Sequence, residues 1–399
     1  MPQHFTPAEW QKINAEFNTA AASYGLPARR SDSVIIGSFN IRKLGDINKR
    51  TNESWQLFKN SLQRFDLIAI QEVMDNSEGL YHLKELLGEH YKIAVSDSTG
   101  AAPGRRGNGE LLAFLYNSKR IEQTEVASDL TFDRTEITKI IHENIDGIDQ
   151  DCEKFKQETK QWGIKSAENK ALGKRRPRKP TRTLPVFVSF IRQPHCVSFR
   201  INGAAGTKPY AFIAVNAHLL YGTDKAERER EFKALTGWLT LRSKEIRKSR
   251  YADMILLGDC NLDFGPSDVM RKDIDAHLKG LNKTYLKSKK AADANFPLLS
   301  KHPKHGYLKT SLRQTATYDQ IGIFSTDDRL PKPEDNKTAG NTSGGFDYGV
   351  FDLGNLISHA LHSKDINEIT TKERKTIYKK AEFDITDHLP IWYRQPLPN

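Results

Sequence analysis

Residues that can bind a metal ion or move a proton lie at the ends of six short apolar runs in this sequence. Each run has four to six apolar residues and carries a carboxylate, an amide or an imidazole. Such a run is typical of a buried strand that delivers a functional group to a sheet edge. Six of them, spread over the chain, predict one composite active site on a central β scaffold. The residues are Asn40, Glu72, Asn216, His218, Asp259, Asn261, Asp319, Asp387 and His388.

Two of these positions allow an interpretation from residue type alone. The carboxylate of Glu72 follows an apolar strand and must be paired, exposed or bound to a metal, because burial of a bare charge is costly. Oxygen ligands of this kind suit Mg²⁺ or Mn²⁺. The imidazole of His388 can orient or deprotonate water near pH 7 when a carboxylate fixes its tautomer. The alternative for Glu72 is an ion pair. The alternative for His388 is a packed side chain beside a capping Asp387.

The spelling and order of these runs resemble the endonuclease/exonuclease/phosphatase superfamily, and within it the deoxyribonuclease I branch. The resemblance covers residues 31 to 397. It implies an α/β fold, a four-layer α-β-β-α sandwich of two packed mixed β-sheets flanked by helices. It also implies hydrolysis of phosphodiesters with Mg²⁺, for which Mn²⁺ could substitute. The motifs are SFNIRKLGD from Ser38, IQEV from Ile70, NAHL from Asn216, LLGDCNLD from Leu256, YDQI from Tyr318 and TDHLPI from Thr386.

The resemblance assigns a role to each residue of the predicted catalytic set. A metal would be held by Glu72 and Asn40, with Asp387 close to it. The remaining residues would perform the proton transfers and hold the nucleophile. These are His388 with its orienting Asp319, His218 with Glu110 as the orienting carboxylate, and Asp259 with Asn261 at the nucleophile and the non-bridging oxygens.

Five further residues are predicted to contact the substrate. Arg42 stands two residues after the strand-end asparagine, as in deoxyribonuclease I, and would grip a phosphate bidentately. Arg105 and Asn108 match a loop that touches the DNA backbone, with Asn108 in place of a tyrosine of that branch. Arg182 is an offset counterpart of a family arginine that precedes a proline. Asn216 lies on the strand face of His218, which favours polar support.

Composition limits the partners and the setting. The chain has 399 residues, a net charge of +11 and three isolated cysteines. The charge favours a polyanionic partner without separating DNA, RNA, inositol phosphates and anionic lipid heads. The resemblance makes nucleic acid, and DNA in particular, the expected partner. The cysteine spacing indicates neither a zinc site nor a disulfide framework. The N-terminus lacks a signal-peptide pattern and no run could span a bilayer, so we expect a soluble, intracellular protein. No obligate protein partner is evident.

The domain organisation follows from the spread of the motifs. Residues 1–30 are predicted as an N-terminal helical extension, with an amphipathic helix over 6–24 capped by Thr6. Residues 31–397 form one domain, because the motifs run along all of it. The segments 124–181 and 265–316 are predicted as insertions, and the first ends in the basic run GKRRPRKPTR. For that run, a solvated loop and a contact with nucleic acid are equally open interpretations. VFVSFI, at 186–191, is predicted as a strand.

Three function classes fit this sequence. The first is a metal-dependent endonuclease that hydrolyses DNA by in-line attack of an activated water, with an RNA nuclease as its variant. The second is a phosphatase or phospholipase on inositol phosphates or sphingomyelin, although TATYDQI lacks the tryptophan and cysteine of the inositol phosphatase signature. A degenerate binding protein would lack a catalytic residue, yet every expected position is filled. The first class is preferred.

Overall fold

The computed structural model contains two six-stranded β-sheets, ordered β11-β12-β1-β2-β4-β3 and β5-β6-β7-β8-β10-β9. The strands are β1 (Ser33–Leu44), β2 (Leu67–Met74), β3 (Tyr91–Val95), β4 (Glu110–Asn117), β5 (Ile121–Asp129), β6 (His195–Ile201), β7 (Tyr210–His218), β8 (Met254–Asp259), β9 (Asp293–Asn295), β10 (Asp319–Ser325), β11 (Asp347–Val350) and β12 (Ile391–Pro396). The structure describes residues 4–99, 109–131, 134–180, 184–203, 208–222, 224–244, 251, 253–265, 269–285, 293–325 and 327–397.

Helices cover the outer faces of both sheets, and the two inner faces pack against each other. This arrangement confirms the predicted four-layer sandwich. None of the described helices is long and apolar enough to cross a membrane. The helices are α1 (Pro7–Ala20), α2 (Asn52–Leu62), α3 (Glu78–Leu87), α4 (Arg134–Glu143), α5 (Ile145–Ala171), α6 (Lys225–Lys244), α7 (Val269–Tyr285), α8 (Leu353–His362) and α9 (Thr371–Asp384).

Strand direction brings the polar strand ends to one edge. β1 runs parallel to β2, and β7 runs parallel to β8. β4 is antiparallel to β2, β10 to β8 and β12 to β1, so these three strands begin where their neighbours end. The carboxyl ends of β1, β2, β7 and β8 therefore lie beside the amino ends of β4, β10 and β12.

The strands are apolar because both of their faces are buried. Along β7, Phe212 and Ala214 belong to the core cluster between the sheets, whereas Ile213, Val215 and Ala217 belong to the cluster under α6 and α7. This alternation follows from the two-residue period of a strand. Polar residues appear where a strand leaves the two layers, which is why each apolar run ends in a functional group.

The N-terminal helix begins and ends close to its predicted bounds. Thr6 caps α1, because its hydroxyl accepts a hydrogen bond from the Glu9 backbone N–H at 3.2 Å and Glu9 accepts one from the Thr6 N–H at 2.7 Å. Trp10, Ile13 and Phe17 on one face are buried in the core cluster of the first sheet. The apolar spacing is therefore used for packing within this chain.

The first predicted insertion is largely helical. Its boundary at residue 124 falls inside β5, which continues to Asp129 as the edge strand of the second sheet. We call residues 134–180, comprising α4, α5 and the segment that follows, the helical arm. Ser166 is the one buried residue in the two helices of this described segment. The segment after α5 returns along that helix: Trp162 Nε1 donates to the Pro177 carbonyl and Asn169 Nδ2 to the Arg175 carbonyl, at 2.9 and 2.8 Å.

Two other boundaries differ from the prediction. The predicted strand over 186–191 is wrong, because this segment is irregular and packs its aromatic residues on the outer cluster under α6. The neighbouring HCVSFRI forms the strand instead, as β6, because it pairs with both β5 and β7. The second predicted insertion, 265–316, contains α7 and the short edge strand β9.

Candidate active site

The imidazole of His388 lies between two buried carboxylates. Its Nδ1 is 2.9 Å from Asp319 Oδ2, and its Nε2 is 3.5 Å from Asp259 Oδ2. Burial alone would lower the pKa of His388, but the two carboxylates outweigh burial and raise this pKa well above its ordinary value. Burial raises the pKa of Asp319, against the opposing effect of His388. The predicted pairing of His388 with Asp319 is present in the structure.

Asp259 connects the two predicted catalytic histidines. Its Oδ2 lies 3.5 Å from His388 Nε2 and 3.7 Å from His218 Nε2, and it accepts a hydrogen bond from Asn40 Nδ2 at 3.1 Å. Burial opposes ionisation of Asp259, but both histidines and the N–H of Asn261 lower its pKa. A carboxylate held ionised between two imidazoles can orient a water molecule by accepting a hydrogen bond from it.

The second histidine, His218, lies beside its own carboxylate, Glu110. Arg192, which the sequence analysis did not predict, binds that carboxylate. His218 Nδ1 is 3.4 Å from Glu110 Oε2, and Arg192 Nε donates to the same oxygen at 2.5 Å. Burial raises the pKa of Glu110, but the hydrogen bonds and charges of His218 and Arg192 lower it to about 2. Arg192 also donates to the Leu219 carbonyl at 3.3 Å.

Arg192 could have been found from the spelling Arg192-Gln193-Pro194. The prediction placed the family arginine before a proline at Arg182, which lies outside the described residues, whereas Arg192 stands two residues before Pro194, immediately ahead of β6. Arg228 was also missed. It lies on α6, and its Nη1 donates to the Asn261 carbonyl at 2.6 Å.

The predicted metal-binding residues leave two buried oxygen atoms without a partner. These atoms are Asn40 Oδ1 and Asp387 Oδ1. Asn40 Nδ2 donates to Glu72 Oε1 at 3.2 Å, so the amide oxygen of Asn40 is the atom left for a ligand. Glu72 has a positive φ of 58°, a strained backbone conformation of the kind that collects at functional sites. Hard oxygen atoms without donors fit a divalent cation such as Mg²⁺.

A second group of buried residues also has the composition of a metal site. Oxygen and nitrogen atoms of Asp259, Asp319 and His388 lie within 4.8 Å of one another. The two nitrogens of His388 face different carboxylates, so the ring already links both of them by hydrogen bonding and charge. The unpartnered oxygens of Asn40 and Asp387 have no such contact and fit a cation better.

The loop that carries Asp387 and His388 is fixed from three directions. Thr386 Oγ1 donates to the Asn40 carbonyl at 2.7 Å and accepts from the His388 N–H at 3.2 Å. The Leu312 N–H donates to the Asp387 carbonyl, and the Leu389 N–H donates to the Thr310 carbonyl. Backbone bonds on both sides of His388 thus hold its ring without using its own nitrogens.

A buried glutamate fixes the loops of His218 and Arg192. Glu231, on α6, accepts the Ile191 N–H at 3.0 Å and the Leu220 N–H at 2.5 Å. Burial raises the pKa of Glu231 to about 6, in spite of the two N–H donors and the nearby charges of Arg192 and His218. Its two oxygens therefore tie together the segments that follow β7 and precede β6.

The remaining predicted residues divide into three groups. Asn216 is fully engaged inside the protein: its amide donates to the Ile70 and Ala113 carbonyls, and its oxygen accepts from Gln71 at 2.7 Å. These bonds connect the two sheets and suit polar support better than substrate binding. Arg42 Nη1 donates to the Glu382 carbonyl at the end of α9, at 3.1 Å. Arg105 and Asn108 lie outside the described residues.

Comparison with known proteins finds similarity in solved structures. No family model and no curated protein matches the chain. An endonuclease/exonuclease/phosphatase family protein from Bacteroides thetaiotaomicron has 13% identity over 91% of this chain and 97% of that chain, with a TM-score of 0.44. The similar structures include members of the superfamily that the motifs resemble.

Two further structures show how varied these similar proteins are. One is a mannosyl-6-phosphatase of Bacteroides thetaiotaomicron VPI-5482, with 13% identity over 90% of this chain and 98% of that chain and a TM-score of 0.45. The other is TDP2 of D. rerio complexed with a single-strand DNA product, with 12% identity, 91% and 99% coverage and a TM-score of 0.41. At these values the activity must be argued from the site of this chain.

Proposed function

We propose that this protein is a metal-dependent phosphodiesterase and, more specifically, an endonuclease that hydrolyses DNA by in-line attack of water. The observation that supports this proposal most directly is the placement of two histidines about one buried carboxylate. His388 and His218 approach the same oxygen of Asp259, and each has its own second carboxylate. Attack on phosphorus needs a group for the incoming oxygen and another for the departing oxygen, roughly in line.

His388 is assigned to the incoming water. Its hydrogen bond to Asp319 fixes the ring and leaves Nε2 facing Asp259, so a water that contacts both atoms would be held by both. In its neutral form the ring accepts the proton of the water at Nε2, and the two carboxylates then stabilise the imidazolium. The Asn261 amide donates one N–H to the Leu219 carbonyl at 2.9 Å, which fixes this side chain at the rim of the same space.

His218 is assigned to the leaving oxygen. The Glu110 carboxylate is ionised at neutral pH, because its pKa is about 2, and it lies 3.4 Å from His218 Nδ1. A protonated imidazole at this point can donate its proton to the departing alkoxide. Arg192 holds Glu110 from the other side, so the carboxylate cannot rotate away from His218.

Glu72, Asn40 and Asp387 would hold the metal ion. The unpartnered buried oxygens of Asn40 and Asp387 and the hard-ligand chemistry of all three residues fit Mg²⁺, and Mn²⁺ would occupy the same oxygens. When bound there, a divalent cation would neutralise the phosphate charge and lower the pKa of nearby imidazoles. Arg42 lies two residues beyond Asn40, and its remaining N–H groups could contact a phosphate oxygen.

DNA is the proposed substrate because of the charge of the protein. A net charge of +11 favours a polyanion over a small phosphorylated molecule, and the helical arm adds an exposed basic segment. An RNA nuclease is the nearest alternative, since it would use the same catalytic groups. A phosphatase or phospholipase on inositol phosphates or sphingomyelin would use them as well, without needing the basic arm.

Cleavage of supercoiled plasmid tests the proposal. We expect nicking in Mg²⁺ and in Mn²⁺, none in EDTA, and none by the His388→Ala variant purified in parallel, which excludes a contaminating nuclease. Circular dichroism should show that the variant is folded. Absence of nicking by folded, metal-supplied wild type would contradict DNA endonuclease activity, and the same enzyme would then be tested on RNA and on phosphorylated lipids.

A further inference from the structure

An aromatic side chain stands in solvent beside the proposed leaving-group histidine. Tyr221 is 77% exposed, the highest value among the described large hydrophobic residues that are exposed, and it lies three residues after His218. Exposed single aromatic residues are ordinary on protein surfaces. Tyr221 is distinguished by its position in the loop that directly follows a proposed catalytic residue.

The backbone beneath Tyr221 is held firmly. The Leu219 N–H donates to the Asp259 carbonyl at 2.9 Å, and the Leu219 carbonyl accepts from Asn261 Nδ2 at 2.9 Å and from Arg192 Nη1 at 3.3 Å. The Leu220 N–H donates to Glu231. An exposed ring on a fixed backbone loses little conformational freedom when a flat ligand stacks on it.

A second tyrosine lies beside the ring of His388. The Tyr318 ring centroid is 6.1 Å from that of His388, with 47° between the ring planes. Burial raises the pKa of Tyr318, and Asp263, Asp259 and Tyr221 add to the increase, against Arg228. Tyr318 therefore borders the imidazole assigned to the incoming water, whereas Tyr221 follows His218 along the chain.

We infer that Tyr221 forms a stacking subsite for the nucleobase on the leaving-group side of the scissile phosphate. This inference rests on the proposed function. Stacking uses the π-face that every base has, so the subsite tolerates any base. A base must leave its duplex stack to reach such a ring, so the enzyme acts on single strands, gaps or frayed ends in preference to continuous duplex.

The test uses a single-stranded oligodeoxynucleotide with one cleavable phosphodiester flanked by phosphorothioates. One version has a normal base on the leaving-group side, and the other has an abasic residue there. For Tyr221→Ala we expect KM on the normal strand to rise roughly tenfold to a hundredfold, with kcat nearly unchanged. Tyr221→Phe should restore the wild-type KM. Tyr81→Ala, which removes a 55% exposed tyrosine on α3, is the matched control.

The abasic strand separates stacking from any other effect of the substitution. On the abasic strand, the KM of wild type should rise by as much as Tyr221→Ala raises KM on the normal strand. The KM of Tyr221→Ala itself should be the same on both strands. An equal rise in KM on both strands would overturn the stacking subsite. Wild type that cuts neither strand would instead overturn the proposed function. If wild type cuts neither strand, 2-aminopurine at the same position, measured with Ca²⁺, should be quenched neither by wild type nor by Tyr221→Ala.

Discussion

The candidate active site and the helical arm use polar residues in opposite ways. In the active site, Asp259, Asp319 and Asn40 are almost fully buried, and each makes hydrogen bonds of defined length. In the arm, residues 159 to 180 include eight Lys and Arg but a single Glu, and the side chains there are largely exposed. In the proposed function, the first region depends on fixed positions and the second on the amount of charge.

This contrast has a physical basis. A buried polar group must keep its partners, because an unsatisfied group costs about 1 to 3 kcal/mol, so each residue of the active site restricts the others. An exposed lysine is solvated in any rotamer, so its neighbours restrict it little. Substitutions in the active site should therefore change turnover steeply and one at a time. Substitutions in the arm should act on affinity and only in sum.

The largest effect is expected at the proposed metal ligand Glu72. Glu72→Gln keeps the shape of the side chain but removes its charge, so we expect turnover to fall on the order of a thousandfold. The Mg²⁺ concentration for half-maximal activity should rise as well. Glu78→Gln, at the start of α3, serves as a matched control. An unchanged Mg²⁺ midpoint would remove Glu72 from the metal site.

A somewhat smaller loss is expected at His388. His388→Ala should lower kcat by roughly a hundredfold or more while leaving DNA affinity nearly intact, since the ring acts on the water and not on the phosphate backbone. His362→Ala, on α8 and outside the site, provides the control. Single-turnover kinetics and fluorescence anisotropy separate the two quantities. Equal losses of kcat and of affinity would contradict the assignment.

Glu231 tests whether the loops of the site depend on a buried charge. Because burial raises its pKa to about 6, its contribution to stability is greatest below the unfolded pKa and falls as the pH rises through 6. The difference is about 2 kcal/mol. In Glu231→Gln this dependence is absent, so the stability advantage of wild type should shrink by that amount between pH 4 and pH 7.

Urea denaturation at both pH values measures the effect. Glu229→Gln, a less buried glutamate two residues away on α6, is the control and should follow wild type at each pH. A constant difference between wild type and Glu231→Gln would mean that Glu231 titrates as an ordinary carboxylate. In that case its two backbone hydrogen bonds would have to offset the cost of its burial completely.

The sequence predicts the residues at strand ends well for a physical reason. A strand buried on both faces is a mainly apolar run, so polar residues towards its end mark the sheet edge. Asn40 and Glu72 lie in the later halves of β1 and β2, and Asp259 ends β8. Strand direction then decides which ends meet. The prediction of two packed sheets, with these ends at one place, is confirmed by the registers of β1, β2, β7 and β8.

Residues that reach the site from irregular segments escape this reasoning. Arg192 lies 82 positions from Glu110 and on no strand, and Glu231 faces loops that periodicity does not describe. The helices of the arm were also missed, because a helix with almost no buried face has no apolar stripe to reveal it. Charge could be counted from the sequence, but its arrangement required the structure.

The smallest effect is expected in the helical arm, where Lys174, Arg175 and Arg176 are exposed. Their backbone is held along α5, and Lys179 lies over the Trp162 ring at 5.9 Å, so the segment presents cations from an ordered support. If these three side chains contact phosphates, replacing them with Ser should flatten the slope of log affinity against log salt for duplex DNA by about 2.7. Turnover at saturating DNA and thermal stability should stay at wild-type values.

Replacing Lys372, Lys375 and Lys379 on α9 removes the same charge elsewhere, and an equal change in slope there would show that net charge, and not the arm, attracts DNA.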